Sequence, residues 1–366
     1  MIVTEFIAYR YSLKLKRPVL VKGTKAATRD GIILQIKNAD GTSGFGEISP
    51  LPGFSRETLI QAEHQLSQVK EEFLTREIPH GLTHLNGHFH NWFKSLALSP
   101  SVRFGAEMAI LNLLANAKKV PLGQVIHEHH QPVGHVALCG LLQGSLEQVV
   151  EQAQTLLGLG YRSMKLKVGS QDIHEDADKV AAVNKITRDK VLLRLDANQG
   201  WDFEEALKFG KKIGPASLEY LEEPFKDIEK IPEFFLKTFI PVALDETLQT
   251  ADFETIKSIE GVDVLVIKPM VLGGLENAWQ LFQKARQMAL LPVISSCYES
   301  ALGIVALASM AEEGRHYVAA GLDTVNWFEE NLLIQNPIVS NGNLDYHNSP
   351  VTESNINFRL LQRLQI

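Results

Sequence analysis

The rhythm of apolar and polar positions changes near residue 125. Over the first forty-odd residues, apolar side chains alternate with polar ones or run in short blocks: "IVTEFIAYRYSLKL", "DGIILQI" and "SGFGEI". That pattern predicts an antiparallel meander, with residues 21–30, "VKGTKAATRD", as an exposed loop. From "SRETLIQAEHQLSQVKEEFL" to "SVRFGAEMAILNLLANAKK" the apolar period becomes helical, with Ser55 as the expected N-cap and Glu57 in the first turn. Residues 1–125 therefore read as an α+β unit, with which the segment from about 340 to 366 is expected to pack.

From 126 to 340 short β-rich runs alternate with amphipathic helical stretches. The runs are "HVALCGLL", "SMKLKV", "VLLRLDAN", "LEYLEEP", "IPVALDE", "DVLVIKP", "LPVISS" and "YVAAGLDT". Residues near their ends, from Cys139 through Lys165, Asp196, Glu222, Asp245, Lys268 and Ser296 to Gly321, recur every 23 to 31 positions. A strand, a loop and a three-turn helix need about that length, and parallel strands need such crossovers. The expected fold is α/β, a (β/α)8-type barrel or its (β/α)7β modification.

Composition narrows the partners. Net charge is −7 and no segment gathers Lys and Arg into a basic run, so neither nucleic acid nor an anionic membrane is an expected partner. The first residues lack a basic stretch followed by an apolar one, and no window is long and apolar enough to span a bilayer, so a cytoplasmic protein is expected. Cys139 and Cys297 have no metal or redox spacing and read as small core residues. The chain does not choose between monomer and homo-oligomer.

The chemistry concentrates at the strand ends, where a barrel carries its active site. Asp196, Glu222 and Asp245 close three successive apolar runs. Singly, each could cap the helix that follows. Three carboxylates at one barrel mouth repel unless a cation neutralises them, and an all-oxygen donor set favours Mg²⁺ or Mn²⁺ over Zn²⁺. In "MKLKVG", Lys165 and Lys167 share one face of a strand. On an edge strand they would face solvent, but a barrel has no edge, so they are expected at the mouth, with Lys165 lowering the pKa of Lys167 towards that of a general base. Lys268 ends the sixth run, across the barrel from the second.

These residues resemble the enolase superfamily, in its muconate-lactonising subgroup. The likeness runs through "KLKVG", "DANQGW", "EEP", "LDE", "IKPMVLGG" and "ISSCYESALG", and covers nearly the whole chain. Within the superfamily, "GEISPLPGFSRET", "PSVRFGAEMA", "SSCYESALG" and "AGLDT" are most similar to the o-succinylbenzoate synthase family. The resemblance implies an N-terminal capping domain over the barrel and Mg²⁺ held by Asp196, Glu222 and Asp245. It implies Lys167 as the base alpha to a carboxylate, Lys165 as its electrostatic partner, Lys268 as the opposite lysine, and a metal-stabilised enediolate, the superfamily's known chemistry. Glu223 and Glu246 are expected to support the ligands from behind, and Asn198 to border metal and substrate. The implied reaction is syn dehydration of a small anionic cyclohexadiene carboxylate in menaquinone biosynthesis. Ser295, Ser296, Gly321 and Leu322 are expected at the substrate's acyl end, and Pro52, Gly53 and Phe54 in a lid.

Two other activities stay open at this stage. N-acylamino acid racemisation or dipeptide epimerisation would use the same opposed lysines, although "GLDT" stands where an epimerase carries D-x-D. A non-catalytic binding barrel is the other. "PHGLTHLNGHFHNW" and residues 127–130, "HEHH", gather seven of the twelve histidines without a metal spacing, and read as solvated surface. Trp201 reads as packing, and "VLGGLEN" as a loop rather than a dinucleotide site.

Overall fold

A computed structural model describes residues 1–21, 24–79, 81–127, 132–216, 218–346 and 349–366, without the side chains of 20, 21 and 24. The N-terminal unit is the expected meander: β1 (Val3–Val21), β2 (Thr24–Asn38) and β3 (Ser43–Ile48) pair antiparallel in that order. Helices Leu59–Thr75 and Pro100–Lys118 pack on the sheet, the latter with most of its residues buried.

Two local expectations fail here. Residues 24–30 are not a loop but the start of β2, because their backbone pairs with β1, with Val19 opposite Ala26 beyond an irregularity after Lys14. Positions 22 and 23 lie outside the described residues. The first helix begins not at Ser55 but after Thr58, whose hydroxyl and backbone form a reciprocal capping box with Gln61. Ser55 Oγ instead accepts from Leu51 N at 2.8 Å, and Glu57 accepts from Ser101 N at 2.6 Å.

Among the described residues, seven strands form one parallel sheet, in the order β11-β10-β9-β8-β7-β6-β5. They are β5 (Cys139–Leu142), β6 (Ser163–Lys167), β7 (Leu192–Asp196), β8 (Leu218–Glu222), β9 (Val242–Leu244), β10 (Val262–Ile267) and β11 (Leu291–Ile294). The eighth run, "YVAAGLDT", contributes no regular strand. Its residues Ala320 and Gly321 bridge Leu138 and Ser295 in parallel and so close the ring, giving the modified (β/α)7β barrel. "HVALCGLL" splits: β4 (His135–Ala137) leaves the barrel to pair with β13 (Asn343–Asp345), itself paired with β12 (Ile338–Ser340). The last strand, β14 (Gln362–Arg363), adds to β1, tying the chain's end to the N-terminal sheet.

One apolar core runs through both units. A second, small cluster of Tyr220, Ala243, Val264, Val266 and Val293 fills the barrel's interior. Alternation along each strand then decides which polar residues share that interior: on β6, β7 and β8 they are Ser163, Lys165 and Lys167, Arg194 and Asp196, and Glu222 above Tyr220. Low in the barrel, Arg194 is paired with Glu219 at 2.6 Å and lies over Tyr220.

Interdomain contacts are made by buried carboxylates that cap helices. Glu276, at the start of helix Leu275–Gln287, accepts from the backbone N–H groups of Gly87, Phe89 and His90 around the short helix His88–Phe93. Glu107 returns the arrangement by accepting from Glu276 N at 2.9 Å, and Arg103 bridges the two. Glu47 of β3 accepts from Ser300 N, Ser300 Oγ, Gly303 N and Tyr11 Oη, and so holds the start of helix Ala301–Ala311.

Candidate active site

The ladder register assembles the site in a row. Lys167 pairs with Asp196 across β6 and β7, Asp196 pairs with Glu222 across β7 and β8, and Glu222 lies beside Ala243 on β9. Asp245 follows β9 directly and Lys268 follows β10 directly. The cavity at this end is lined by Lys165, Lys167, Asp196, Lys268, Ser295 and Ser296, among others.

The carboxylates are turned onto the ammonium groups. Lys167 Nζ donates to Asp196 Oδ2 at 2.5 Å and to Asn198 Oδ1 at 2.7 Å. Lys165 Nζ reaches the same Asp196 oxygen at 3.1 Å and both Glu222 oxygens at 3.2 Å. Lys268 is paired with Asp245. Lys167 is the most open of the three, its side chain 34% exposed against 20% for Lys165 and 14% for Lys268.

Electrostatics follow from this pairing. Burial favours the neutral form of Asp196, but the ammonium groups of Lys165 and Lys167 outweigh it and hold the carboxyl well below its usual range. Glu222 is pushed up to about 7 by burial and by the charge of Asp196. Burial also raises Asp245, against the pull of Lys268. For Lys165, burial lowers the pKa but the Asp196 and Glu222 carboxylates raise it more, so the ammonium is held above its ordinary value. Lys165 thus stands here as a counter-ion to two carboxylates, the pairing that a buried ammonium at the mouth requires.

These residues fit a hard divalent cation. The donors are all carboxylate oxygens, and Asp245 Oδ1 is buried without a hydrogen-bond partner. Among the described residues no three acidic, histidine or cysteine side chains are already grouped as a metal cage. In the present arrangement the three ammonium groups hold the carboxylates, supplying the neutralising charge that a cation would supply.

The supporting residues differ from one another. Glu223 accepts from Asp245 N and Thr247 N, each at 2.8 Å, and from Gln199 and Thr247 Oγ1, so it fixes the turn after β9. Glu246 accepts from Asn198 Nδ2 at 3.1 Å, and Asn198 thereby links Lys167 to the third carboxylate's loop. Ser296 Oγ meets Thr324 Oγ1 at 3.0 Å beside Gly321. Leu322, by contrast, sends its side chain into the core. From the N-terminal unit, the Phe54 ring covers the Lys268 ammonium at 4.6 Å, while Pro52 and Gly53 are exposed.

Some site residues escaped the sequence reading. Arg29, placed in the expected loop, is buried and donates to the backbone carbonyls of Ser49, Pro50, Cys297 and Tyr298, lacing the N-terminal unit to the loop after β11. Its alternation with the buried apolar residues of β2 was the available signal. Tyr298, Trp327 and Asp323 also line the cavity. Cys139 lines it as well, though both cysteines are buried and free as expected. Trp201 packs on Phe209. "VLGGLEN" runs from the end of a short helical turn, Pro269–Leu272, into the longer helix, Leu275–Gln287. The described histidines do not line the cavity. His88 and His90 are exposed, but His127 is buried against Trp279 and bonded to Ser309 O at 2.6 Å, contrary to a solvated surface; residues 80 and 128–130 lie outside those described.

A capped (β/α)7β barrel whose mouth sets carboxylates on three successive strands between lysines is a recognisable kind of enzyme scaffold. A family model described as enolase C-terminal domain-like matches residues 148–350, and one for the MenC N-terminal domain matches residues 3–113. An o-succinylbenzoate synthase of Vibrio cholerae is 33% identical over 331 residues, 88% of this chain and 90% of that protein. The chloroplastic protein PHYLLO of Arabidopsis thaliana is 34% identical over 342 residues, 84% of this chain but only 20% of that protein's length. Among solved structures, a dipeptide epimerase from Cytophaga hutchinsonii, complexed with Mg and D-Ala-L-Val, superposes with a TM-score of 0.86 at 20% identity, covering 100% of this chain and 99% of that one. At that identity the likeness is one of fold. The chain belongs to the enolase superfamily and, within it, to the o-succinylbenzoate synthase family.

Proposed function

We propose that this protein is a divalent-metal-dependent o-succinylbenzoate synthase. It removes water from 2-succinyl-6-hydroxy-2,4-cyclohexadiene-1-carboxylate, in the cytoplasm, within menaquinone biosynthesis. Near-full-length similarity to synthases of that name carries the reading, and the row of Lys167, Asp196 and Glu222 along the strand register supports it.

In this reading Asp196, Glu222 and Asp245 hold the cation. A bound Mg²⁺ or Mn²⁺ supplies positive charge beside the substrate carboxylate, offsetting the charge that builds up on proton loss. Lys167 Nζ, the most exposed of the three site lysines, takes the proton alpha to that carboxylate. In a syn elimination the proton and the hydroxyl leave from one face, so the same ammonium can protonate the departing hydroxyl. The bonds broken are C–H and C–O, the bond formed is the new ring C=C, and water leaves. Lys268, beneath Phe54, stabilises the developing negative charge from the other side, and Asn198 keeps Lys167 aimed. The cap comprises residues 1–125 with the segment from about 340, and the barrel residues 126–340. Pro52, Gly53 and Phe54 belong to a lid over the site, and Ser295, Ser296 and Gly321 face the acyl end of the substrate.

The test supplies the cyclohexadiene substrate with Mg²⁺ and follows the aromatic product by absorbance. A parallel reaction with an N-succinyl amino acid is followed by polarimetry. Dehydration is the expected result. Racemisation without dehydration overturns it in favour of a racemase, and inactivity in both would favour a binding barrel.

A further inference from the structure

Beside the cavity at the barrel mouth, about 110 Å³, lies a second one of about 510 Å³ within the cap. The second is lined by cap residues from β1, β2 and residues 50–59, among them Leu15, Val19, Lys25, Arg29 and Pro50. Among its described lining residues Tyr298 alone comes from the barrel, and Tyr298 also lines the first cavity. Tyr298 therefore borders both.

The surroundings fix that position. Tyr298 has φ 61°, a left-handed conformation costly for an aromatic residue unless its neighbours impose it. Arg29 Nε donates to the Tyr298 carbonyl at 3.2 Å, and Arg29 Nη2 to that of Cys297 at 3.2 Å. Cys297 N in turn donates to Glu299 Oε2 at 2.6 Å. The ring packs on Trp327 with centroids 5.5 Å apart, and the Arg17 guanidinium covers Trp327 at 5.1 Å. A residue so held on both sides, by backbone and by ring, acts as a fixed wall rather than a mobile one.

We propose that Tyr298 is a specificity-determining residue: its ring closes the catalytic cavity off from the cap cavity and so limits the length of the substrate's acyl chain. The inference rests on the proposed synthase activity, because it takes the acyl chain to be the group that points towards the cap. Removing the ring joins the cavities and gives a longer chain apolar wall to cover, at roughly fourfold in affinity per buried methylene.

The probes are o-succinylbenzoate and two homologues whose acyl chains are longer by one and two methylenes, titrated calorimetrically with Mg²⁺ present. The wild-type protein is expected to bind both homologues at least tenfold more weakly than o-succinylbenzoate. Tyr298→Phe keeps the ring and is expected to keep that penalty. Tyr298→Gly, which suits the left-handed backbone, and Tyr298→Leu are expected to shrink it at least tenfold. An unchanged penalty in both, with turnover of the natural substrate retained, overturns the inference alone. Loss of o-succinylbenzoate binding in both also counts against it, because a partition sets shape and does not anchor carboxylates. Failure of the wild-type protein to bind o-succinylbenzoate or to dehydrate the substrate removes the synthase reading, and this inference with it.

Discussion

Lys165 and Lys167 meet on a single oxygen, Oδ2 of Asp196. Two ammonium groups converge there because the strand places them on one face and the next strand offers a buried carboxylate in register. Only Lys167 has a second, neutral partner in Asn198, and only it is substantially open to the cavity. Lys167→Ala is therefore expected to lower kcat by about 10²- to 10⁴-fold or more, the usual contribution of a placed proton-transfer group. Product affinity should change only a few-fold, since Lys165 still neutralises Asp196. Steady-state kinetics together with a product titration check both halves.

Metal removal should stop turnover without unfolding the chain, because each carboxylate already has an ammonium partner. Dialysis against EDTA is expected to abolish activity, leave the circular dichroism spectrum unchanged, and be reversed by Mg²⁺ or Mn²⁺. Lys165→Met takes away both hydrogen bonds to Glu222, a fully buried carboxylate. Breaking a buried pair by removing one partner costs about 3–5 kcal/mol. The metal-free Lys165→Met variant should show a loss of that order in urea denaturation, and added Mg²⁺ should reduce it.

How far the sequence carried depended on how local the cause was. The barrel and the row of carboxylates and lysines at its mouth were legible because each residue ends an apolar run, and strand alternation fixes its face. Which carboxylates Lys165 pairs with was not, since that depends on which way Asp196 and Glu222 turn. Arg29 was misread because Gly23 and the polar residues around it suggested a loop, whereas pairing with β1 makes a strand of residues 24–38. The helix start moved from Ser55 to Thr58 because a reciprocal cap to Gln61 outweighs a lone serine. Glu107 and Glu276 gave no sign of their task, as the helix ends they cap lie in the other unit.

Glu107 should make stability depend on pH. Burial, partly offset by Arg103, raises its pKa from 4.5 to about 7. A carboxyl raised in the folded state binds its proton more tightly there than in the unfolded chain. Its contribution is therefore fully present below pH 4.5 and is lost as pH rises through 7. Glu107→Gln, which imitates the protonated form, is expected to show a smaller fall in Tm between pH 5 and pH 8 than the wild-type protein. An identical fall in both would remove Glu107 from the account. Thermal melts across that range, at constant ionic strength, make the measurement.

The guanidinium of Arg29 spreads its N–H groups over five carbonyls, two from residues 49–50, two from residues 297–298 and that of its neighbour Asp30. A lysine ammonium has three donors at one point and cannot span that set, so charge alone does not replace the fork. Both Arg29→Lys and Arg29→Ala leave buried carbonyls unpaired, at about 1–3 kcal/mol for each such group. They also release the tie between the cap and the loop that bears Tyr298. The expected result is a KM raised about tenfold or more in both variants, with kcat reduced less because Arg29 touches none of Lys165, Lys167 and Lys268, and with Lys performing no better than Ala within twofold. If Arg29→Lys restored wild-type KM, a positive charge rather than a shaped cross-link would be what this position requires.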